Sequence, residues 1–449
     1  MVKIEPFQVE QWMDTYETTA GVLNIAETCA ASLSIADLAG LAVPTGVDGT
    51  TSVPAADPLS ALATTRLTYG AIQGSSTLRK HVAELFDEGK DANVPPLPAD
   101  SVVVTQGAIA ANHLVFYTLL GPGDHAICVY PTYQQLYGVP QSLGAEVSLW
   151  KLTLEKGYVP DTAELENLVR PNTKWLQMII VNNPNNPMGV PIPRAVLEAI
   201  VRFARARDII ILSDEVYLPL THGGMLAPDP DESHYAAALT LDEASEPRVP
   251  PPPPPSILTL GYDKAIATGS MSKAFALAGL RLGWVASRDR ALVDAILAAR
   301  DYTTISVSQL DDGIARYALS DSVRDSLLRR NNDLARRNIR HLNRFVGKWE
   351  SKGRVRVAWV PPTAGTTAFV QFSTVASGDD SSAAATPVDD KQFCLDVLHA
   401  TQVLMVPGSL CFGHGKDFKG YVRIGYVGET AVLVEALSKL DRYLENNLA

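Results

Sequence analysis

Cysteine is scarce in this chain of 449 residues: Cys29, Cys128, Cys394 and Cys411 stand far apart, with no Cys-x-x-Cys pair and no clustered histidines. That scarcity excludes a disulfide framework and a thiolate zinc site, and no metal centre is expected. Positive charge is also in deficit. Acidic residues number 49 against 38 lysines and arginines, a formal charge of -11. A phosphate-backbone footprint needs the opposite balance, so nucleic acid is not an expected partner. No apolar run reaches the length of a bilayer. Residues 1–10 carry charges where a signal peptide has its apolar centre, so a reducing cytoplasmic setting without membrane contact is expected. No internal repeat is found.

What the chain has is apolar bulk and length. Hydrophobic residues make up 46% of it, and 449 residues exceed what a single core fills, so two domains are expected. Val102 to Val104, Ala126 to Val129, Met178 to Val181 and Ile209 to Leu212 are short, nearly continuous apolar runs. Runs of that kind suit strands buried on both faces of a sheet. Helical stretches such as Thr162 to Leu168 and Pro193 to Arg205 lie between them. The alternation predicts an α/β domain with a mostly parallel central sheet.

One or two long helices are expected from Gln309 to Leu342, then short strands from Val355 and a closing helix near Glu429 to Asn446. The division is therefore a large domain at 56–300 and a smaller α+β domain at 301–449. Residues 1–55 would complete the small domain and border the substrate entrance. Two stretches read as surface insertions. Pro228 to Ser256 ends in the run Pro250 to Pro255, which cannot be helix or central strand and suits extended polyproline II. Ser377 to Asp390 is rich in Ser, Ala and Asp, as mobile loops are.

The segment Thr268-Gly-Ser-Met-Ser-Lys273 carries the strongest chemical signal. Small residues at a strand-to-loop junction let a lysine be buried, and burial lowers its pKa toward the neutral, nucleophilic amine. Ser270 and Arg281 would offer a hydroxyl and a guanidinium fork to a phosphate dianion. A Ser/Gly-rich turn with a surface lysine is the plain alternative. Asp214 closes an apolar run, where a carboxylate is costly unless paired; a cationic ring nitrogen or a helix cap would each serve. Tyr217 follows three residues on. Asn186 lies in a turn with two Asn-Pro pairs, and Gly107 and Ala108 open a helix whose backbone amides form an anion site. Tyr133, just past a strand, would stack on a planar ring or pack in the core. Arg423 sits in a strand-like pattern, either salt-bridged or clamping a carboxylate.

Taken in order, these segments resemble the class I/II aminotransferases, pyridoxal 5'-phosphate enzymes of fold type I, over most of the chain. Tyr69-Gly70 with Gly74 and Leu78-Arg79, Leu120 to Asp124, Pro131 to Tyr133, Asn183 to Gly189, Ser213 to Tyr217, Ser270 to Lys273, Gly279 to Gly283, and Val406 to Ser409 with Arg423 carry the likeness. Motifs in one order and spacing weigh more than any one alone. The resemblance implies that Lys273 is the Schiff-base lysine and moves the proton at Cα. Asp214 would pair the ring nitrogen, Asn186 and Tyr217 the ring oxygen, and Tyr133 would stack. Gly107, Ala108, Ile109, Ser270, Ser272, Arg281 and Tyr69 of the partner subunit would complete the cofactor contacts, making a homodimer with shared sites. Arg423 and Asn186 would hold the substrate. Met188 and Ile109 depart from the family pattern, which has hydroxyl residues there. The separation of 59 positions from Asp214 to Lys273 is also more than expected, and the Pro-rich insertion accounts for the excess.

The cofactor residues are common to several reactions, so they do not choose among them. An aminotransferase-like enzyme acting at Cα of an L-amino acid is the main reading. A lyase, cyclase or side-chain-replacing synthase is the alternative, and a catalytically silent relative is a third, disfavoured because Lys273, Asp214 and Arg281 are present. Leu23 to Cys29 and Gly107 to Asn112 resemble segments of 1-aminocyclopropane-1-carboxylate synthases. The lead-in Glu5 to Trp12 is similar to the capreomycidine-synthase-like branch, which acts on arginine derivatives. On that likeness Glu27 would read a cationic or amino-bearing side chain; a surface or helix-capping glutamate is the other account.

Overall fold

The computed structural model describes residues 3–43, 58–169, 175–223, 254–350, 352–375 and 385–448. Seven strands form the larger sheet: β1 (Val102–Thr105), β2 (Asp124–Tyr130), β3 (Glu146–Lys151), β4 (Trp175–Asn182), β5 (Ile210–Asp214), β6 (Ala265–Ser270) and β7 (Gly283–Ser287). Their order is β1-β7-β6-β5-β4-β2-β3. All neighbours run parallel except β7, which is antiparallel to both β1 and β6. The apolar runs explain the burial. Side chains of a strand alternate between the two faces. Accordingly Ile127, Val129, Ile179, Val181 and Ile211 join one core, whereas Ala126, Cys128, Met178, Ile180, Ile210 and Leu212 join the other. A sheet covered on both faces leaves its strand ends as the accessible edge.

The smaller sheet is antiparallel, with β8 (Val355–Trp359), β9 (Thr367–Thr374), β10 (Thr386–Pro387), β11 (Val406–Pro407) and β12 (Tyr421–Gly425). The N-terminal segment is built into this region. Leu23–Asn24 pairs in parallel with Val403–Leu404, and Trp12 Nε1 donates to the Met405 carbonyl at 2.9 Å. The same segment reaches the larger sheet, where Gln134 Nε2 donates to the Pro6 carbonyl at 2.9 Å and its Oε1 accepts from the Gln8 N–H at 3.0 Å.

The helix-rich stretch resolves into two helices, Gln309–Ala318 and Arg324–Trp349. The second buries Leu327, Asn331, Ala335, Asn338, Leu342, Phe345 and Trp349 along one stripe, the three-to-four spacing of a helix face. Its two buried asparagines brace loops. Asn331 Nδ2 donates to the Ala274 carbonyl, and Asn338 Nδ2 to those of Tyr426 and Gly428, each at 2.8 Å. No helix among the described residues is long and apolar enough to cross a membrane.

Of the two predicted insertions, Pro228 to Ser256 lies outside the described residues up to 253 and Ser377 to Asp390 up to 384. The end of the second departs from the expected mobile loop. Thr386–Pro387 pairs with β9, Asp389 caps the helix Asp390–Thr401, and Asp390 accepts the Ser409 N–H at 2.8 Å and the Gly420 N–H at 3.2 Å. Local acceptors tie this end down, which a compositional reading cannot see.

One glycine sets how closely the strand and helix of the site approach. A Cβ on Gly283 would lie 2.5 Å from the Gly107 carbonyl carbon, 2.7 Å from Ala108 N and 2.7 Å from Gly269 O. All three are backbone atoms and cannot swing aside. Gly283→Ala is expected to destabilise the fold by about 3 kcal/mol, the upper part of the range for overpacking. Denaturant titration checks this, and an unchanged midpoint would show that strand and helix can part.

Candidate active site

Register places residues at or near the ends of three parallel strands side by side, Asn182 next to Asp214 and Asp214 next to Thr268. Ligands of open α/β sheets bind beyond this carboxyl edge. Asp214 is 4% exposed. Its Oδ2 accepts from Asn112 Nδ2 at 2.9 Å and its Oδ1 from the Val216 N–H at 3.3 Å. Burial pushes this carboxyl up to about 6, against the pull of those two hydrogen bonds and the Lys273 charge. A turn follows Asp214 rather than a helix, so helix capping is not its role. Glu215 faces elsewhere and accepts the Ile257 N–H at 2.9 Å, and burial pushes its carboxyl up to about 7.

Lys273 stands three residues past β6. Its Nζ donates to Thr28 Oγ1 at 2.6 Å and to Cys29 Sγ at 3.4 Å, and lies 3.8 Å from Glu27 Oε1. The expected buried, neutral amine needs correction. A quarter of the side chain is open, at 26% exposure. Burial alone would lower the ammonium's pKa, but Cys29, Tyr217 and Glu27 around it carry it above its ordinary value. Burial pushes the Cys29 thiol up to about 11, so at neutral pH Glu27 is the anion that acts. Burial opposes the charge of Glu27 too, yet Lys273 and the N–H groups of Thr28 and Cys29 hold its carboxyl below the usual range. Those N–H groups lie 2.6 Å and 3.0 Å from Oε1.

A cradle opens on the neighbouring side. Gly107 starts the helix Gly107–Leu119 at φ +81, and Gln106 before it gives no side-chain cap. The first amides of that helix therefore keep their donors free of a cap. A Cβ on Gly107 would sit 3.2 Å from Arg281 Nη2. Arg281 Nη1 donates to the Ala278 carbonyl at 3.0 Å and reaches Ser272 Oγ at 3.4 Å, and the Ser272 N–H donates to Ser270 Oγ at 3.2 Å. Gly107, Ala108, Ser270, Ser272 and Arg281 thus meet around one spot. Ile109 is at the rim. Its side chain is exposed and its carbonyl accepts Gln135 Nε2 at 2.6 Å, which leaves only its amide for a ligand.

Opposite lies Arg423, 2% exposed on β12. Its Nη2 donates to the Ala26 carbonyl at 2.9 Å, Nη1 lies 3.4 Å from Asn186 Oδ1, and Nε has no partner among the described residues. A buried guanidinium without a carboxylate is costly. Asn186 Nδ2 faces the Tyr217 hydroxyl at 3.4 Å. The Tyr133 hydroxyl donates to Glu10 Oε1 at 2.8 Å, and its ring packs on Phe7 at a centroid distance of 4.7 Å. The segment carrying Glu27 lies tight on β12: a Cβ on Gly425 would come 1.7 Å from the Glu27 carbonyl. Met188, where the family pattern has a hydroxyl, is buried at 2% exposure and packs in the core.

Tyr69 is the one predicted site residue without a place in this cluster; it is 85% exposed on its own chain. The reading of the sequence left four contacts unassigned, those of Asn112, Thr268, Thr28 and Glu10. The first two stand inside motifs quoted for other residues, and Thr28 follows Glu27. For Glu10, 123 positions from Tyr133, the chain gives no local signal.

The cluster fits pyridoxal phosphate on three observations of its own. A cradle closed by Gly107 suits a phosphate, a buried carboxylate suits a cationic ring nitrogen, and a lysine amine beside Thr28 and Cys29 suits an aldehyde. The carboxylate gives a measurable consequence without the cofactor. Asp214 has its folded pKa above the unfolded 3.8, so between about 4 and 6 the folded chain holds the extra proton and stability falls as pH rises. Relative to Asp214→Asn, the cofactor-free protein is expected to lose roughly 3 kcal/mol across that window. Denaturation at pH 4 and pH 7 measures it, and parallel pH profiles for the two proteins would refute it.

The sequence matches the model of class I and II aminotransferases over residues 47–440. It is 30% identical over 377 residues to a capreomycidine synthase of Streptomyces vinaceus, covering 84% of this chain and 80% of that one. An arginine–pyruvate transaminase of Pseudomonas aeruginosa is 30% identical over 217 residues, 48% of this chain and 47% of that one. A crystal structure of a PLP-dependent aminotransferase from Streptococcus suis is similar with a TM-score of 0.76 at 34% identity, covering 99% of this chain and 98% of that one. A match of that extent, on a fold and pocket of this kind, makes the chain a member of the class I and II aminotransferase family, a pyridoxal-phosphate-dependent enzyme acting on amino acids.

Proposed function

We propose that this enzyme is an aminotransferase acting at Cα of an L-amino acid with a positively charged side chain. The observation that carries the substrate class is the Glu27 carboxylate, whose Oε1 lies 3.8 Å from Lys273 Nζ. Burial and then the charges of Glu27, Glu10 and Asp14 push the Glu17 carboxyl above its ordinary range, which accords with acidic surroundings. Lys273 is the cation beside Glu27, and it cannot both anchor the cofactor and neutralise Glu27. A cationic side chain would restore the balance. The name of the Pseudomonas relative, which couples arginine and pyruvate, accords with this class.

Bound pyridoxal phosphate supplies an aldehyde for amines and a ring that draws off the electrons left when Cα loses its proton. The chain's residues do the rest. Gly107, Ala108, Ile109, Ser270, Ser272 and Arg281 would hold the phosphate, Asp214 would face the ring nitrogen, and Asn186 and Tyr217 the ring oxygen, with Tyr133 against the ring face. Arg423 would take the α-carboxylate with Asn186 beside it, fixing which bond at Cα points to Lys273 Nζ, the group that removes and returns the proton. Tyr69 of the partner subunit would complete the phosphate site in a homodimer. Its exposure, and that of Leu67, Ile72 and Tyr302 at 77%, 55% and 91%, fits a face that a second copy covers. Four cysteines without a disulfide suit a reducing cytoplasm.

A second reading is favoured by the likeness to capreomycidine synthase: a lyase, cyclase or side-chain-replacing synthase using the same pocket. Products separate the two. Transfer of the amino group yields a 2-oxo acid from the donor, whereas the rival yields ammonia, a released group or a ring.

Lys273→Ala is expected to lose the visible absorbance of the lysine-bound cofactor and all turnover while remaining folded. A retained band would sink the assignment. Glu27→Gln is expected to raise KM for a cationic amino acid about tenfold, as loss of a charged hydrogen bond does, and to leave KM for a neutral one within about twofold. Equal effects on both substrates in steady-state kinetics would remove Glu27 from recognition.

A further inference from the structure

The cofactor-facing carboxylate has a support that no part of the proposed function uses. Asn112, on the helix Gly107–Leu119, points its Nδ2 at Asp214 Oδ2, 2.9 Å away, while its Oδ1 accepts from the Thr268 hydroxyl at 2.7 Å. All three side chains are buried, at 1%, 4% and 1% exposure for Asn112, Asp214 and Thr268. Gln135 closes the other side, with Oε1 3.4 Å from Asn112 Nδ2 and Nε2 donating to the Ile109 carbonyl at 2.6 Å. We infer that Asn112, locked in one orientation by Thr268, is a positioning residue that keeps Asp214 ionised and aimed at the cofactor ring.

An ionised carboxylate only accepts, so a neighbouring amide must offer it N–H rather than C=O. An asparagine amide can turn over, and the reverse orientation would set Oδ1 against Asp214 Oδ2, two acceptors facing across a buried gap. The Thr268 hydroxyl prevents this by giving its single proton to Oδ1. Strand register makes the lock rigid, because Thr268 on β6 lies directly beside Asp214 on β5. The other charged groups near the carboxylate are Lys273, which favours its charge, and Glu215, which turns to the Ile257 amide. Among the described residues the Asn112 side chain donates to it directly, and the second donor is the Val216 backbone. Hydrogen bonds to the charged form favour that form, and burial works against it here. A ring nitrogen keeps its proton only beside an anion, so the orientation of one amide bears on the cofactor's charge.

This inference rests on Asp214 pairing the ring nitrogen, and the test separates the two. Binding of pyridoxal phosphate to the cofactor-free protein is measured by absorbance titration from pH 5 to pH 8. Asp214→Asn tests the pairing itself: affinity within about twofold of wild type would overturn that reading. Given a large loss there, Thr268→Val is expected to raise Kd about tenfold, and to move the pH at which affinity falls upward by about one unit. Thr268→Ser, which keeps the hydroxyl, is expected to stay within about twofold of wild type in both. Asn112→Leu is expected to match or exceed Thr268→Val, and melting of the cofactor-free variants controls for folding. Thr268→Val with wild-type affinity and midpoint would overturn the inference. So would Thr268→Ser losing as much as Thr268→Val, which would trace the effect to packing.

Discussion

A carboxylate at the end of a strand buried on both faces has no water to stabilise it, and Asp214 occupies that position. Every contact it makes either favours its charge or fixes its direction: the Asn112 amide, the Val216 N–H and the field of Lys273. The cost of its burial is recovered only when a cation arrives in front of it. On the proposed reading a cationic ring would complete this site, and the order of the strands is what would make this possible. β4, β5 and β6 are neighbours and parallel, so Asn182, Asp214 and Thr268 lie at one level.

Close backbone approach is the second requirement. The phosphate cradle exists because Gly283 lets β7 run against the first turn of the helix at Gly107, and because Gly107 leaves room for the Arg281 guanidinium. On the far side Gly425 lets the Glu27 segment lie directly on β12. These glycines serve contact rather than flexibility: Gly283 and Gly425 are where two backbones touch. The pocket is consequently walled by rigid main chain on two sides, which suits chemistry that depends on fixing one bond at Cα.

Much of this was legible in the sequence, and the reasons differ from element to element. Strands read well because burial on both faces writes continuous apolar runs at Ala126 to Val129, Met178 to Val181 and Ile209 to Leu212. Lys273, Asp214 and Arg281 read well because each lies in a local motif. Partners distant in sequence did not. Thr268 lies 156 residues from Asn112, and Lys273 lies 245 from Thr28, and no spacing rule reaches that far. The state of Lys273 was misread for a related reason. The small residues around it point to burial, but the groups that overcome burial, Cys29, Tyr217 and Glu27, come from other parts of the chain.

The N-terminal segment forms the front wall of this pocket. The cofactor contacts leave the reaction open, because loss of the Cα proton precedes transfer, elimination and ring closure alike. The difference must come from what meets the substrate beyond Cα, and here that is the N-terminal segment. It brings Glu27 beside Lys273 and Glu10 onto Tyr133, and it is pinned by Pro6 and Gln8 to Gln134, by Trp12 to the Met405 carbonyl and by Leu23–Asn24 to Val403–Leu404. A segment fixed at both ends holds its carboxylates in place. A cationic side chain held there could not drift toward solvent, so the distance from Cβ to the enzyme's bases would be set by the protein. On that argument the choice between transfer and ring closure is decided at Cβ and beyond, by groups on residues 5–29, and not by the residues that hold the cofactor.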